Sequence, residues 1–220
     1  MKKNLLIANA GNISAGKSTL TKTLADKFNA TPIFEPVSEN PYLADFYKDM
    51  KRYAFHSQMC FLSQRLKAQF LLTKETGIFI QDRTIYEDAE IFAKNLYEGG
   101  FIEKRDWDVY QGLYQTISSL LPSPDLIIYL KNSVPTIKKR IEERGRKFEQ
   151  KIDDKYIEDL NRLYDDWADN LSKKKGRKTP LLIIPLDEMD YLKNPEKLDQ
   201  IVDLILKKLK KKGEILKGKN

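Results

Sequence analysis

Residues 4–20 read NLLIANAGNISAGKSTL, and the parsing of that stretch decides the fold. Its first half is a short apolar run of strand character. From Gly11 to Ser18 it matches G-x-x-x-x-G-K-[ST], and Ser18-Thr19-Leu20 opens a run with helical periodicity. A glycine-rich loop between a strand and a helix turns backbone N–H groups toward an anion, and the helix N-terminus adds a partial positive charge. In such a loop the lysine reaches the β- and γ-phosphates of a nucleoside triphosphate and the following hydroxyl sits on Mg²⁺. Gly11, Asn12, Ile13, Ser14, Ala15, Gly16, Lys17, Ser18 and Thr19 are therefore the expected ATP-binding residues.

Outward from the loop, further short apolar runs occur at 32–34, 78–80, 126–130 and 181–184. With the run at 4–9 they predict five buried strands. Between them, helical patterns lie at 18–29, 41–50, 54–73, 86–96, 104–121, 135–144, 154–172 and 195–212. Strands alternating with helices imply a parallel sheet, so the expectation is an α/β fold of the P-loop NTPase type, a three-layer α/β/α arrangement. No repeat or linker divides the 220 residues, which predict one domain. Gly145 ends a helix in front of a charged segment, marking an expected arginine-rich lid at about 144–154.

Composition narrows the class. With 41% hydrophobic and 32% charged residues the chain reads as an ordinary soluble protein. No apolar run approaches a membrane span, and Met1-Lys2-Lys3 leads straight into the first strand rather than a secretion signal, so no membrane partner and a cytoplasmic location are expected. A single cysteine, Cys60, excludes an internal disulfide, and with only one histidine, His56, no zinc site of the usual kind can be built. The formal charge of +7 is concentrated from Lys207 to Asn220, which holds seven lysines and one glutamate. That tail follows a helix whose dipole its first lysines complement, and it reads as a solvated end rather than a nucleic-acid site.

The acceptor of the phosphate must be read elsewhere. D-x-x-G and N-K-x-D strings of a switch GTPase are absent. An alcohol acceptor needs a base as well as arginines, because the hydroxyl loses a proton as it attacks. Glu35-Pro36-Val37 follows the second strand and should face the crevice at the strand ends, where Lys17 also lies. At the end of the third strand, Asp82-Arg83 and then Asp88 supply a second metal contact beside Ser18, a fixed cation that could hold Glu35 ionised, and another acid. Arg140, Arg144, Arg146 and Glu149 around Gly145 have the look of a lid that closes guanidinium groups over a transferring phosphoryl.

The ordered set GNISAGKST, EPV, FHSQ with the following Arg65, QDRTIYED, IFAKNLYE and RIEERGRKFEQ resembles the deoxynucleoside kinases acting on the 5′-hydroxyl of deoxyadenosine, deoxyguanosine or deoxycytidine, the bacterial deoxyadenosine/deoxycytidine enzymes above all. The resemblance implies a five-stranded parallel sheet, a homodimer, and ATP with Mg²⁺ as the donor in nucleotide salvage. It implies Glu35 as general base with Arg83 beside it, Tyr47 and Glu149 on the sugar 3′-hydroxyl, and Gln58, Arg65 and Asp88 on the base. Ile13, Val37, Phe46 and Phe92 become the apolar walls, and Lys17, Arg140, Arg144 and Arg146 the cations of the transfer. Helical spacing, by contrast, is expected to set Gln58 and Arg65 on different faces of their helix. Other readings of the same residues are a nucleoside monophosphate kinase of thymidylate-kinase type, a nucleotide-binding regulatory module without acceptor chemistry, and a nucleic-acid-associated ATPase using the basic tail.

Overall fold

The central strands form where apolar runs are buried on both faces. In β1 (Leu5–Ala10) all six residues are buried, as are the first five of β4 (Leu126–Lys131). With β2 (Thr31–Ile33), β3 (Ile78–Asp82) and β5 (Leu181–Pro185) they make a five-stranded sheet in the order β2-β3-β1-β4-β5. Every pairing is parallel, and Ile7 lies opposite Ile80 on one side and Leu126 on the other. The computed structural model describes residues 4–35, 37–72, 74–149, 152–173 and 179–211. Met1 to Lys3, Pro36, Thr73, residues 150–151 of the expected lid, residues 174–178 and residues 212–220 of the basic tail lie outside them.

Helices cover both faces. Leu5 and Ile7 of β1, with Leu126, Ile128 and Leu130 of β4, pack under α1 (Lys17–Phe28) and α9 (Pro195–Lys211). The alternate residues Ala8, Ala10, Ile127 and Tyr129 pack against α2 (Leu43–Lys48), α7 (Val134–Arg144) and α8 (Asp154–Lys173). This period-two division of each strand between two apolar layers produces the expected three-layer fold. Among the described residues, no helix is long and apolar enough to cross a membrane.

Several boundaries depart from the sequence expectation. Strand β2 ends at Ile33, and Phe34, expected inside it, is 46% exposed beyond the sheet edge. The helices expected at 41–50 and 54–73 are α2 and α3 (Met50–Leu72), separated by Asp49 alone. Asp49 has an extended backbone (φ −144°), and its carboxylate accepts the Arg52 N–H at 3.1 Å. An N-cap side chain of this kind starts a new helix four residues earlier than apolar periodicity suggested. The single helix expected at 86–96 is instead α4 (Ile85–Glu87), a π-helical turn at Asp88–Ala93, and α5 (Lys94–Glu98). Such widened turns are common at functional sites and leave no mark in hydrophobic periodicity. The remaining helix, α6 (Lys104–Leu120), lies beside α3.

Candidate active site

Gly16 caps α1 with φ 95°, and a Cβ there would sit 3.0 Å from the Tyr191 hydroxyl, so only glycine fits without displacement. Asn12 Nδ2 donates to the Ile157 carbonyl (3.3 Å) and to Asn161 Oδ1 (3.2 Å), which moors the loop to α8. Lys17 is buried, and its ammonium donates to the carbonyls of Gly11 (2.9 Å) and Asn12 (2.8 Å). Burial, reinforced by the charge of Arg83, lowers its pKa to about 8. Ser18 O–H donates to Asp82 Oδ2, while Asp82 Oδ1 is buried with no hydrogen-bond partner. A hydroxyl and a carboxylate with free lone pairs suit Mg²⁺, which takes one or two protein oxygens and completes its shell with phosphates and water.

Above the loop lies one cavity lined by Ile13, Ser14, Lys17 and Ser18, by Glu35, Val37, Phe46 and Tyr47, by Gln58, Asp82, Arg83, Asp88 and Phe92, and by Arg144, Arg146 and Glu149. These residues come from seven separate stretches of the chain, and all of them were expected on sequence grounds. Glu35 is the electrostatic centre. Its Oε1 lies 3.0 Å from Arg83 Nε and 3.2 Å from Arg65 Nη2. Burial pushes the Glu35 carboxyl up, but the charges of Arg83, Arg65 and Lys17 together outweigh it and hold the group below its ordinary value. An ionised carboxylate is thus presented to the cavity.

Arg65 is buried and lies behind the lining. Its Nε and Nη2 donate to the two oxygens of Asp88 (2.9 and 3.2 Å), and Nη1 donates to the Asp82 carbonyl (3.0 Å). Burial opposes the charge on Arg65, yet Asp88 and Glu35 on either side raise its pKa. Gln58 and Arg65 share one helix face, which corrects the expectation that they diverge: seven residues are close to two α-helical turns, about 700°. Gln58 is 3% exposed, and its Oε1 has no hydrogen-bond partner. A buried acceptor left unpaired costs stability and marks a position that a ligand can satisfy.

The residues expected to form a lid are divided. Arg144 donates from Nε and Nη2 to Glu149 Oε2, and Arg146 Nη1 lies 3.4 Å from Glu149 Oε1. Phe148 stacks on Tyr47 (centroids 5.8 Å apart, planes 18°), which closes this segment over α2. Arg140 stands apart from the cavity lining, donating to Asn132 Oδ1 (2.9 Å) and pairing with Asp190 (3.1 Å), with the Ala15 carbonyl at 3.5 Å. It lies one helical turn from Arg144, about 6 Å along the axis, and that displacement brings it to Asn132 and Asp190 rather than to Glu149. Thr19 is exposed on α1 outside the cavity lining.

Sequence reading missed Leu43, Ser57, Phe61 and Tyr156 of the lining. It also missed Glu87 and Tyr164, both buried behind Arg83. Only Glu87 had a legible signal: Thr84-x-x-Glu87 is a capping box, and both of its reciprocal hydrogen bonds form.

Residues 7–210 match the family model described as deoxynucleoside kinase. The chain is 38% identical over 205 residues to the deoxyadenosine/deoxycytidine kinase of Bacillus subtilis (strain 168), covering 92% of each chain. It is 36% identical over 200 residues to the deoxyguanosine kinase of the same organism, covering 89% of this chain and 93% of that one. A deoxyadenosine kinase from M. mycoides, solved with the products dCMP and a flexible dCDP, superposes with a TM-score of 0.80 at 32% identity, covering 91% of this chain and 98% of that one.

Proposed function

The chain belongs to the deoxynucleoside kinase family and is an ATP-dependent deoxynucleoside kinase, and on that premise we propose that it prefers deoxyadenosine and uses Glu35 as the general base. The observation that carries the reading is the Glu35 carboxylate, partly buried at the cavity and held ionised between Arg83 and Arg65. Glu35 takes the proton from the 5′-hydroxyl as that oxygen attacks the γ-phosphorus of ATP. Lys17, released from the Gly11 and Asn12 carbonyls, holds phosphate oxygens, and Arg83 follows the moving phosphoryl group. Arg144 and Arg146, paired with Glu149 in the free protein, turn toward the transferring group when ATP binds, and Arg140 steadies the loop at the Ala15 carbonyl. Mg²⁺ on Ser18 and Asp82 would neutralise charge on the β- and γ-phosphates.

Deoxyribose is favoured because Tyr47 and Glu149 close over the sugar. Burial, with Tyr156 and Glu149 nearby, raises the Tyr47 hydroxyl well above its ordinary value, so it stays a donor. Ile13, Val37, Phe46 and Phe92 wall the nucleoside, and Arg65 and Asp88 stand at the far edge of the base. Gln58 presents an unpaired acceptor and an amide donor, which complement the amino group and ring nitrogen of adenine and also those of cytosine. The two Bacillus relatives differ by only 2 percentage points in identity to this chain while their names differ in base, so overall likeness does not choose the base. ADP release from ATP and Mg²⁺ with each of the four deoxynucleosides, adenosine and dTMP tests the assignment. Deoxyadenosine should turn over fastest and adenosine markedly slower; turnover of dTMP alone overturns it.

A homodimer in the cytoplasm completes the proposal. On α6, Val109 (62% exposed), Leu113 (39%) and Leu120 (77%) recur at helical spacing and form an outward apolar stripe. Light scattering should give twice the chain mass, and V109E with L113E should reduce it to the monomer. A parent that scatters as a monomer at micromolar concentration rules the dimer out.

A further inference from the structure

Arg83 is held in a conformation that its own chain disfavours. Its φ is 67°, in the left-handed region that a branched or long side chain rarely adopts. Such a residue persists only when its surroundings over-determine it, and strained residues cluster where geometry matters to function. Its N–H donates to the Asn9 carbonyl at the end of β1 (2.9 Å). Its guanidinium lies 4.2 Å over the Phe92 ring, and Nη1 donates to the Tyr164 hydroxyl (2.8 Å).

The Tyr164 hydroxyl passes the connection on. It donates to Glu87 Oε1 (2.8 Å), and the same oxygen accepts the Gly11 N–H (3.1 Å), the first amide of the phosphate loop. Oε2 of Glu87 accepts the Thr84 N–H (2.8 Å) and the Thr84 hydroxyl (3.1 Å). Four donors therefore converge on one fully buried carboxylate. Nothing in phosphoryl transfer itself requires this group, because it lies outside the cavity lining.

We infer that Glu87 and Tyr164 are positioning residues of the transfer step, tying Arg83 to Gly11 so that the cation beside the base and the cradle for the donor keep one relative geometry. The inference rests on the reading of Glu35 as base and Arg83 as its partner. Catalytic groups displaced by about an ångström can lose rate steeply, so a rigid link between the donor loop and the acceptor side has a direct kinetic use. Helix α8 supplies a second tie one turn away, where Asn161 receives Asn12.

The consequence is a test on proton affinity. Glu35 is faced by Arg83, Arg65 and Lys17; Arg83 is faced by Glu35, Tyr164, Glu87 and Asp88; Glu87 is faced by Arg83, Lys17 and Tyr164. Tyr164→Phe alters no charge among these groups and keeps the ring stacked on Tyr129 (5.7 Å between centroids). It removes only the hydroxyl that tethers Arg83. With Arg83 loosened, the pKa of Glu35 rises, and the acid limb of kcat/KM moves to higher pH. We expect kcat to fall about tenfold or more, as for the loss of a hydrogen bond to a charged group, with KM for both substrates within about threefold.

A merely structural role would lower Tm and leave the acid limb in place. An unmoved limb in folded Tyr164→Phe, whatever kcat does, overturns the inference. Glu87→Gln provides a second route should the first variant not fold. Removing a negative charge near Arg83 and Lys17 would by itself ease the ionisation of Glu35 and move the limb down, whereas releasing Arg83 moves it up. An upward shift supports the link, and a downward or absent shift overturns it. Failure of the base assignment is seen separately, in Glu35→Gln, which leaves this tether in place.

Discussion

Glu35→Gln is expected to lower kcat by about 10²–10⁴-fold, the range typical for loss of general-base catalysis, while KM for the deoxynucleoside changes little. The amide keeps the size of the side chain and one acceptor, but it cannot take the 5′-hydroxyl proton. Folding should survive the change. Arg65 retains both oxygens of Asp88, and Arg83 retains the Tyr164 hydroxyl and the Phe92 ring, so neither cation is left without a partner. Rate and stability should therefore separate, with steady-state ADP release falling steeply and Tm moving little. A variant that keeps kcat within about tenfold of the parent would falsify the base assignment.

The pH dependence of the parent follows from the same geometry. The pKa of Glu35 is depressed in the folded protein, so its ionised form contributes stability above the unfolded pKa and loses it as pH falls through the folded value. The acid limb of kcat/KM that belongs to this group should accordingly lie below the ordinary glutamate range. Across neutral pH the base is already deprotonated.

Arg65→Met is expected to give the largest loss of stability. Its guanidinium is 3% exposed and answers Asp88, Glu35 and the Asp82 carbonyl at once. Truncation leaves the buried Asp88 carboxylate without its ion-pair partner and the partly buried Glu35 short of one, and breaking a buried pair typically costs about 3–5 kcal/mol. For a chain of this size each kcal/mol moves Tm by about 2–4 °C, so a fall on the order of 10 °C should appear in thermal unfolding. Burial already pushes the Asp88 carboxyl up against the pull of Arg65. Without Arg65 its folded pKa rises further above the unfolded one. Stability carried by that raised group is present below the unfolded pKa and lost as pH rises, so the deficit against the parent should widen from acid to neutral pH. Adding Asp88→Asn should recover part of it. A single variant that melts with the parent at neutral pH removes Arg65 as the keystone of the charge cluster.

The phosphate loop, the five strands and the three-layer order were legible in the sequence because each depends on neighbours in the chain. Residues 11–18 carry their own backbone geometry, and period-two and period-3.6 patterns report burial directly. The resemblance, together with the phosphate-loop pattern, brought sixteen of the twenty cavity-lining residues with it. Helix starts were less legible, as Asp49 shows, because a single capping side chain can outweigh apolar spacing.

Tertiary structure alone decided how the charges were shared. Glu35, Arg65 and Arg83 come from three separate parts of the chain, and their meeting within about 3 Å follows from the register of β2 on β3 and the packing of α3 beside them. Arg140 carries the same charge and sits in the same short motif as Arg144, yet one helical turn takes it to Asp190. The Arg83–Tyr164–Glu87–Gly11 chain spans α8, the capping box of α4 and the phosphate loop, and none of its links is local. Local motifs name the chemistry because a few bonded neighbours fix their geometry. The pairing of buried charges is settled only by packing, since a fraction of a helical turn decides whether two side chains meet at hydrogen-bond distance or face different partners.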